Sequence, residues 1–244
     1  LAEVHWRLPF AVYLLPLISL VLSAYLKKDA ASVTIKQAAA IIPPIQSTPV
    51  ISGKYGIHIC HLVQLMVFYG LVTYVVLAVT FHLPFLMKAH HFSSGNSGLL
   101  ISLFFLAIMA PGFMLDSLVM LLGNKSKLYS LLAIAIGLLL IWILPTEWLI
   151  VPGCFLVGLG YGIIQTLIYD KTVDTAIPQK RTLALAFVMV MNYLAILLSP
   201  FITDFSQWRC HTGSQEFPFI FNLCITILIM HWAYAKKEEF LFSD

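Results

Sequence analysis

Long apolar segments separated by short polar connections run along the whole chain of 244 residues. The clearest pair flanks the charged stretch 170–181, where segments 148–169 and 182–203 carry almost no charge. At ~1.5 Å of rise per residue, about twenty helical residues cross the ~30 Å hydrocarbon core of a bilayer. The pattern predicts seven transmembrane helices, at residues 8–26, 56–82, 97–116, 128–145, 148–169, 182–203 and 217–235.

The amino-acid composition also indicates a membrane protein. Hydrophobic residues make up 60% of the chain and charged residues 10%, whereas a soluble domain is usually about a quarter charged. The net charge of +3 is too small and too scattered to indicate a nucleic-acid partner. The four cysteines have no metal or redox spacing and are interpreted as packing residues. We therefore expect an all-α transmembrane protein whose first partner is the lipid bilayer, with no metal and no cofactor.

Basic residues predict the orientation. Of the fourteen Lys and Arg, all but Arg7, Lys88 and Arg209 fall in connections on one side of the predicted topology. The positive-inside rule makes that side cytoplasmic. The C-terminus is then cytoplasmic and the N-terminus outside, in a multi-pass protein of the cell (inner or plasma) membrane.

The longest connection, residues 27–55, has no sustained apolar run and is interpreted as a cytoplasmic linker. It divides the chain into a helix within 1–26, a six-helix bundle at 56–235 and a cytoplasmic tail at 236–244. The chain thus has one helix before the linker and six after it. This arrangement is expected for the last seven helices of a protein with two six-helix bundles. We therefore expect the start of the chain to be truncated, with a missing N-terminal bundle as partner.

The segment His5-Trp-Arg-Leu-Pro-Phe10 resembles the start of the sixth helix in drug:proton antiporters of the major facilitator superfamily (MFS) of transporters. The run Gly158-Leu-Gly-Tyr-Gly162, a turn with Pro178 and Arg181, and a helix ending Ser199-Pro200 are similar to helices ten and eleven. The resemblance implies helices six to twelve of the MFS fold, that is, the C-terminal six-helix bundle plus one preceding helix. It also implies proton-coupled efflux of a small-molecule cargo by alternating access, and no enzyme activity.

A further segment resembles the family's loop signature between helices eight and nine, and it includes Gly112 and Asp116. The pattern departs from the family, because Gly123 comes seven residues after Asp116 and Ser117 replaces a basic residue. Asp116 is alternatively a solvated helix end. The resemblance makes four residues candidates for gating or loop-motif roles, namely Gly112, Asp116, Pro178 and Arg181.

Polar and aromatic side chains on the helices that line the family's cavity are candidate cargo ligands. On the predicted seventh helix, His61, Gln64 and Phe68 share one face, and on the tenth Tyr161, Gln165 and Tyr169 do. An unpaired polar group is costly in hydrocarbon, so such residues face protein or water. The histidine is also a candidate for the coupling proton. The predicted substrate-binding residues are His61, Gln64, Phe68, Tyr161, Gln165 and Asn192; alternatively, the amides only bond to neighbouring helices.

Other classes fit less well. An MFS importer or symporter remains the alternative within transport. A seven-helix receptor or retinal protein shares the topology, but the last span lacks Asn-Pro-x-x-Tyr and no lysine lies mid-span. A membrane enzyme would need clustered nucleophiles or carboxylates at membrane depth, whereas Asp116, Asp170 and Asp204 all lie at span ends.

Overall fold

The computed structural model describes residues 59–122, 125–143 and 147–235, with side chains for all of these except 94, 114–122 and 147. The predicted first helix, linker and tail, at 8–26, 27–55 and 236–244, lie outside the described residues. Within the described ranges there are six long helices: α1 Ile59–Ala89, α2 Ser94–Leu122, α3 Ser126–Ile143, α4 Glu147–Asp174, α5 Arg181–Arg209 and α6 Phe217–Ala235.

Each of these six helices contains a stretch long and apolar enough to cross a membrane. Six of the seven predicted spans are therefore confirmed. The largest difference is in α1, which continues to Ala89 instead of ending at 82. It continues through Pro84 because the side chains around that residue, Leu83, Leu86 and Met87, are buried in the bundle and hold the last turns in place.

Short connections reverse the chain direction between consecutive helices. A 3-10 turn, Pro178–Lys180, joins α4 to α5, and we call the side of the bundle that carries it the turn end. The opposite side, with the connections 90–93 and 210–216, is the loop end. In consequence α1, α3 and α5 all run from the turn end to the loop end.

The core lies around α1, which packs against α4, α5 and α6. In its most apolar stretch, 67% of the residues are buried, compared with 17% in α5. Tyr69, Val79 and Leu83 of α1 are fully buried, as are Ile134 and Leu138 of α3. The bundle is thus centred on α1, while α5 lies at its edge.

Glycines bring α4 into backbone contact with two neighbouring helices. A Cβ at Gly158 would lie 2.5 Å from the carbonyl oxygen of Phe104 on α2. A Cβ at Gly160 would lie 2.5 Å from the carbonyl oxygen of Ser130 on α3. Glycine is thus required at both positions, because only a residue without a side chain allows these helices to approach so closely.

This packing predicts opposite effects for two Gly→Ala changes. We expect Gly160→Ala to lower the stability of the purified protein in detergent by about 1–3 kcal/mol, because the new methyl group collides with the α3 backbone. The matched control is Gly98→Ala on α2, where the new Cβ would have no neighbour within 4 Å from other parts of the described chain. It should leave the thermal midpoint unchanged or raise it, since alanine favours helix by about 0.5–1 kcal/mol. Equal thermal midpoints for the two variants would contradict this description of α4.

Candidate functional site

Six polar side chains from three helices form one hydrogen-bonded group, which we call the central polar cluster. Helix α1 contributes two of them, α4 contributes three and α5 contributes one. Its members are Tyr69 and Thr73, Tyr161, Gln165 and Tyr169, and Asn192.

The Thr73 hydroxyl joins the three helices. It donates a hydrogen bond to Asn192 Oδ1 at 2.9 Å, and it lies 3.1 Å from the hydroxyl of Tyr161. A threonine hydroxyl has one proton, so while that proton is given to Asn192 the Tyr161 hydroxyl is the donor to Thr73. Tyr161 also lies 3.4 Å from Asn192 Oδ1. One buried hydroxyl thus ties α1 to both α4 and α5.

The cluster extends from there toward the turn end through tyrosines. The hydroxyl of Tyr69 lies 3.4 Å from that of Tyr161 and 3.0 Å from that of Tyr169. Gln165 Nε2 donates to the Tyr169 hydroxyl at 3.3 Å. The rings of Tyr69 and Tyr161 are nearly parallel with centroids 6.3 Å apart, and Tyr169 meets Tyr69 edge-on at 5.7 Å. The phenol rings therefore pack against one another as well as bonding through their hydroxyls.

Helical spacing explains how these side chains meet. Tyr161, Gln165 and Tyr169 are four residues apart on α4, and Tyr69 and Thr73 are four apart on α1, so each set occupies one face. Thr73 is next to Tyr74, the middle residue of α1. Tyr161 is also at the middle of its helix. The cluster thus begins at half the height of the bundle and extends toward the turn end.

Two amide groups leave hydrogen-bonding capacity unused. Tyr69, Thr73 and Tyr161 are buried, whereas Gln165 and Asn192 are partly exposed. Within the described part of the chain, Gln165 Oε1 and Asn192 Nδ2 form no hydrogen bond. One acceptor and one donor are therefore free at the accessible edges of the cluster.

The structure brings together three of the six predicted cargo ligands, Tyr161, Gln165 and Asn192. Phe68 lies elsewhere, because its ring is fully buried and packs 6.1 Å from that of Trp232 on α6. Gln64 is partly exposed and His61 is exposed.

The extra length of α1 accounts for part of this difference. It moves the middle of the helix from near Phe68 to Tyr74. Gln64 then lies about 15 Å and His61 about 20 Å from the middle, at ~1.5 Å per residue. Both are nearer the turn end than the prediction placed them.

Three members of the cluster, Tyr69, Thr73 and Tyr169, were not among the predicted ligands. A signal for them exists, because the Tyr69 to Thr73 spacing of four matches the spacing on α4. However, α1 carries polar side chains on several faces, and only its contact with α4 selects the face that forms the site.

The four candidate gating residues all lie on the turn-end half of the bundle. Gly112 is exposed on α2, and a Cβ there would meet no atom of the described residues within 4 Å. Asp116 follows one turn later in the same helix. Pro178 starts the 3-10 turn and Arg181 starts α5, and both are exposed. No group of three or more potential metal ligands occurs among the described residues.

Six membrane-length helices around a buried polar cluster define a multi-pass helical membrane protein. The sequence model of the Major Facilitator Superfamily matches residues 1–200. The chain therefore belongs to the Major Facilitator Superfamily, a family of membrane transporters, and its all-α transmembrane fold is that of the family. The comparison with curated proteins gave no match.

The cluster predicts a coupling between two side chains. We expect Thr73→Val to lower the stability by about 1–3 kcal/mol, because it deprives buried oxygen atoms of their partner. Tyr161→Phe should cost less, and the double variant should cost less than the sum of the two. The measurement is a double-mutant cycle from thermal unfolding in detergent. The control is Thr80→Val, since Thr80 lies on the same helix and is partly buried, but forms no hydrogen bond among the described residues. Additive effects of Thr73→Val and Tyr161→Phe would contradict the described network.

Proposed function

We propose that this bundle is half of a transporter that binds a small, uncharged cargo at the central polar cluster and exports it in exchange for protons. The observation that carries the proposal is the cluster itself, which begins at the middle of three membrane-length helices. Transporters built from two bundles hold their cargo near the bilayer midplane, at the interface of the bundles. The position of Thr73, Tyr161 and Asn192 fits that requirement.

The chemistry of the cluster favours an uncharged cargo. Its polar groups are four hydroxyls and two amides, none of which carries a charge near neutral pH. Desolvating an ion there would cost much free energy with no opposite charge to compensate. The free acceptor on Gln165 and the free donor on Asn192 suit a molecule with hydroxyl or amide groups, and the tyrosine rings suit an aromatic one.

Alternating access requires a second bundle, which we propose lies N-terminal to residue 56. In this arrangement residues 56–235 form the C-terminal bundle and 27–55 the cytoplasmic linker. Helix α5 offers a surface on which such a bundle can pack, because the apolar side chains Tyr193, Leu197 and Phe201 are each more than 60% exposed. A surface of this kind is stable only against lipid or another bundle.

The proposed direction of transport and its energy source rest on the resemblance to drug:proton antiporters. We propose efflux across the cell membrane, with the turn end in the cytoplasm and the proton gradient as the driving force. Gly112, Asp116, Pro178 and Arg181 would then act at the cytoplasmic side, where bundle rocking opens and closes the cavity. An importer would use the same cluster, and the direction of cargo flux in oriented vesicles distinguishes the two.

The test compares binding-site and packing roles for Gln165. In vesicles containing the full-length transporter, Gln165→Ala should reduce transport of radiolabelled chloramphenicol, an uncharged aromatic molecule with hydroxyl and amide groups, about tenfold. One lost hydrogen bond of about 1.4 kcal/mol gives that factor. The thermal midpoint should hardly change, because Tyr169, the partner of Gln165, is partly exposed and water can replace the lost amide there.

The matched control is Gln179→Ala in the exposed turn, which should leave transport unchanged. Ethidium and fluorescein, a cation and an anion, test the charge preference and should be transported poorly. A lower thermal midpoint with unchanged transport per folded molecule would identify Gln165 as a packing residue and contradict the proposal.

A further inference from the structure

Proton coupling requires a group that gains and loses a proton, and the central polar cluster contains none that does so near neutral pH. This inference therefore rests on the proposed function and asks where the proton binds. Two titratable side chains lie near the loop end of neighbouring helices: His82 on α1, whose Nε2 is buried, and Asp204 on α5, which is exposed.

His82 on α1 has an unsatisfied buried atom. The residue is partly buried, and its Nε2 has no hydrogen-bond partner among the described residues. A buried polar atom without a partner is uncommon and costs free energy. The nitrogen is therefore available to an additional proton, which would need an anion nearby.

Asp204 on α5 supplies that anion. Its carboxylate is exposed and lies near enough to His82 to act electrostatically on the imidazole. Both residues lie toward the loop end of helices that run in the same direction. The preceding residue, Thr203, lies 3.4 Å from the hydroxyl of Tyr74 and so holds α5 against α1 beside the pair.

The pair lies inside the expected hydrocarbon region but near its edge. His82 is eight residues beyond Tyr74, the middle of α1, which is about 12 Å along the helix. Half of a ~30 Å hydrocarbon core is about 15 Å. A proton can therefore reach the pair from the loop-end side without crossing the bundle.

Other charged groups at this end are placed differently. Lys88 is six residues beyond His82, about 9 Å along α1, and Arg209 is five beyond Asp204, about 7.5 Å along α5. His90 Nε2 is paired with Glu216 Oε1 at 3.6 Å. Along α2 and α6, no described side chain near the loop end is ionisable, while α4 begins at Glu147 and the α5–α6 connection carries His211.

We propose that His82 and Asp204 form a proton-binding site between α1 and α5. In the unloaded state the imidazole is neutral and the carboxylate is charged. A proton from the loop-end side binds Nε2, and the resulting imidazolium is held against the Asp204 carboxylate. Release of that proton returns both groups to their starting states.

The same two helices carry the proton site and part of the cargo site. Thr73 and Asn192 join α1 to α5 through a 2.9 Å hydrogen bond at the middle of the bundle. Protonation that strengthens the contact of α1 with α5 at His82 therefore changes the packing on which the central polar cluster depends. Such a shared element lets proton binding and cargo binding influence each other, as coupling requires.

The direct test is a pH titration of the histidine side chains by ¹⁵N NMR in the purified chain, with the His82 signal assigned by its loss in His82→Gln. We expect Asp204→Asn to lower the titration midpoint of His82 by about one pH unit or more, because the carboxylate no longer stabilises the imidazolium. Asp204→Glu should largely restore it. The control, Asp170→Asn at the exposed turn end, should leave it unchanged. An unchanged His82 midpoint in Asp204→Asn would overturn the proposed site.

A second measurement separates this inference from the proposed function. In vesicles with the full-length transporter, Asp204→Asn should abolish the dependence of chloramphenicol flux on the pH gradient, while chloramphenicol binding is retained. If Asp204→Asn changes the His82 midpoint as expected but wild-type vesicles transport no probe, the proton site stands and the proposed function fails. If wild-type flux depends on the gradient and Asp204→Asn keeps that dependence, the coupling role is refuted.

Discussion

The buried hydroxyl of Thr73 hydrogen-bonds to two other helices and so holds α1, α4 and α5 together at the middle of the bundle. In hydrocarbon a polar group has no water to bind, so its partners must come from the protein. Thr73 meets this constraint by bonding to α4 and α5 at once. Helices α1, α4 and α5 are thereby fixed at the middle of the bundle, and the remaining members of the cluster can hydrogen-bond in turn.

Close packing of α4 makes this arrangement possible. Its glycines place one side of the helix directly on the backbones of α2 and α3. Tyr161 is adjacent in sequence to two of these glycines, Gly160 and Gly162, and its side chain points to α1 instead. A helix with small residues on one face and polar aromatic residues on another thus supplies both the rigid support and the site. The polar groups are thus held in position by helix packing and hydrogen bonds between uncharged side chains.

Much of the fold followed from the sequence, because each membrane span needs a long apolar run and six such runs are confirmed as helices. Helix ends were harder to predict, since burial rather than local sequence keeps α1 helical past Pro84. Half of the site, Tyr161, Gln165 and Asn192, was visible as polar residues on apolar helices. Tyr69 and Thr73 were not visible in this way. Packing between helices decides which face of α1 meets α4, and the spacing of residues along a single helix does not show it.

The central claim, that the cluster is open to cargo, can be measured at Asn192. In a background with the exposed cysteines Cys60, Cys210 and Cys224 replaced by serine, Asn192→Cys should react with a hydrophilic thiol reagent in the full-length transporter. Chloramphenicol should slow that reaction. A cysteine at Gln215, which is exposed in the connection 210–216, should react at the same rate with and without chloramphenicol. The claim is contradicted if Asn192→Cys fails to react, or if its reaction rate is the same with and without chloramphenicol.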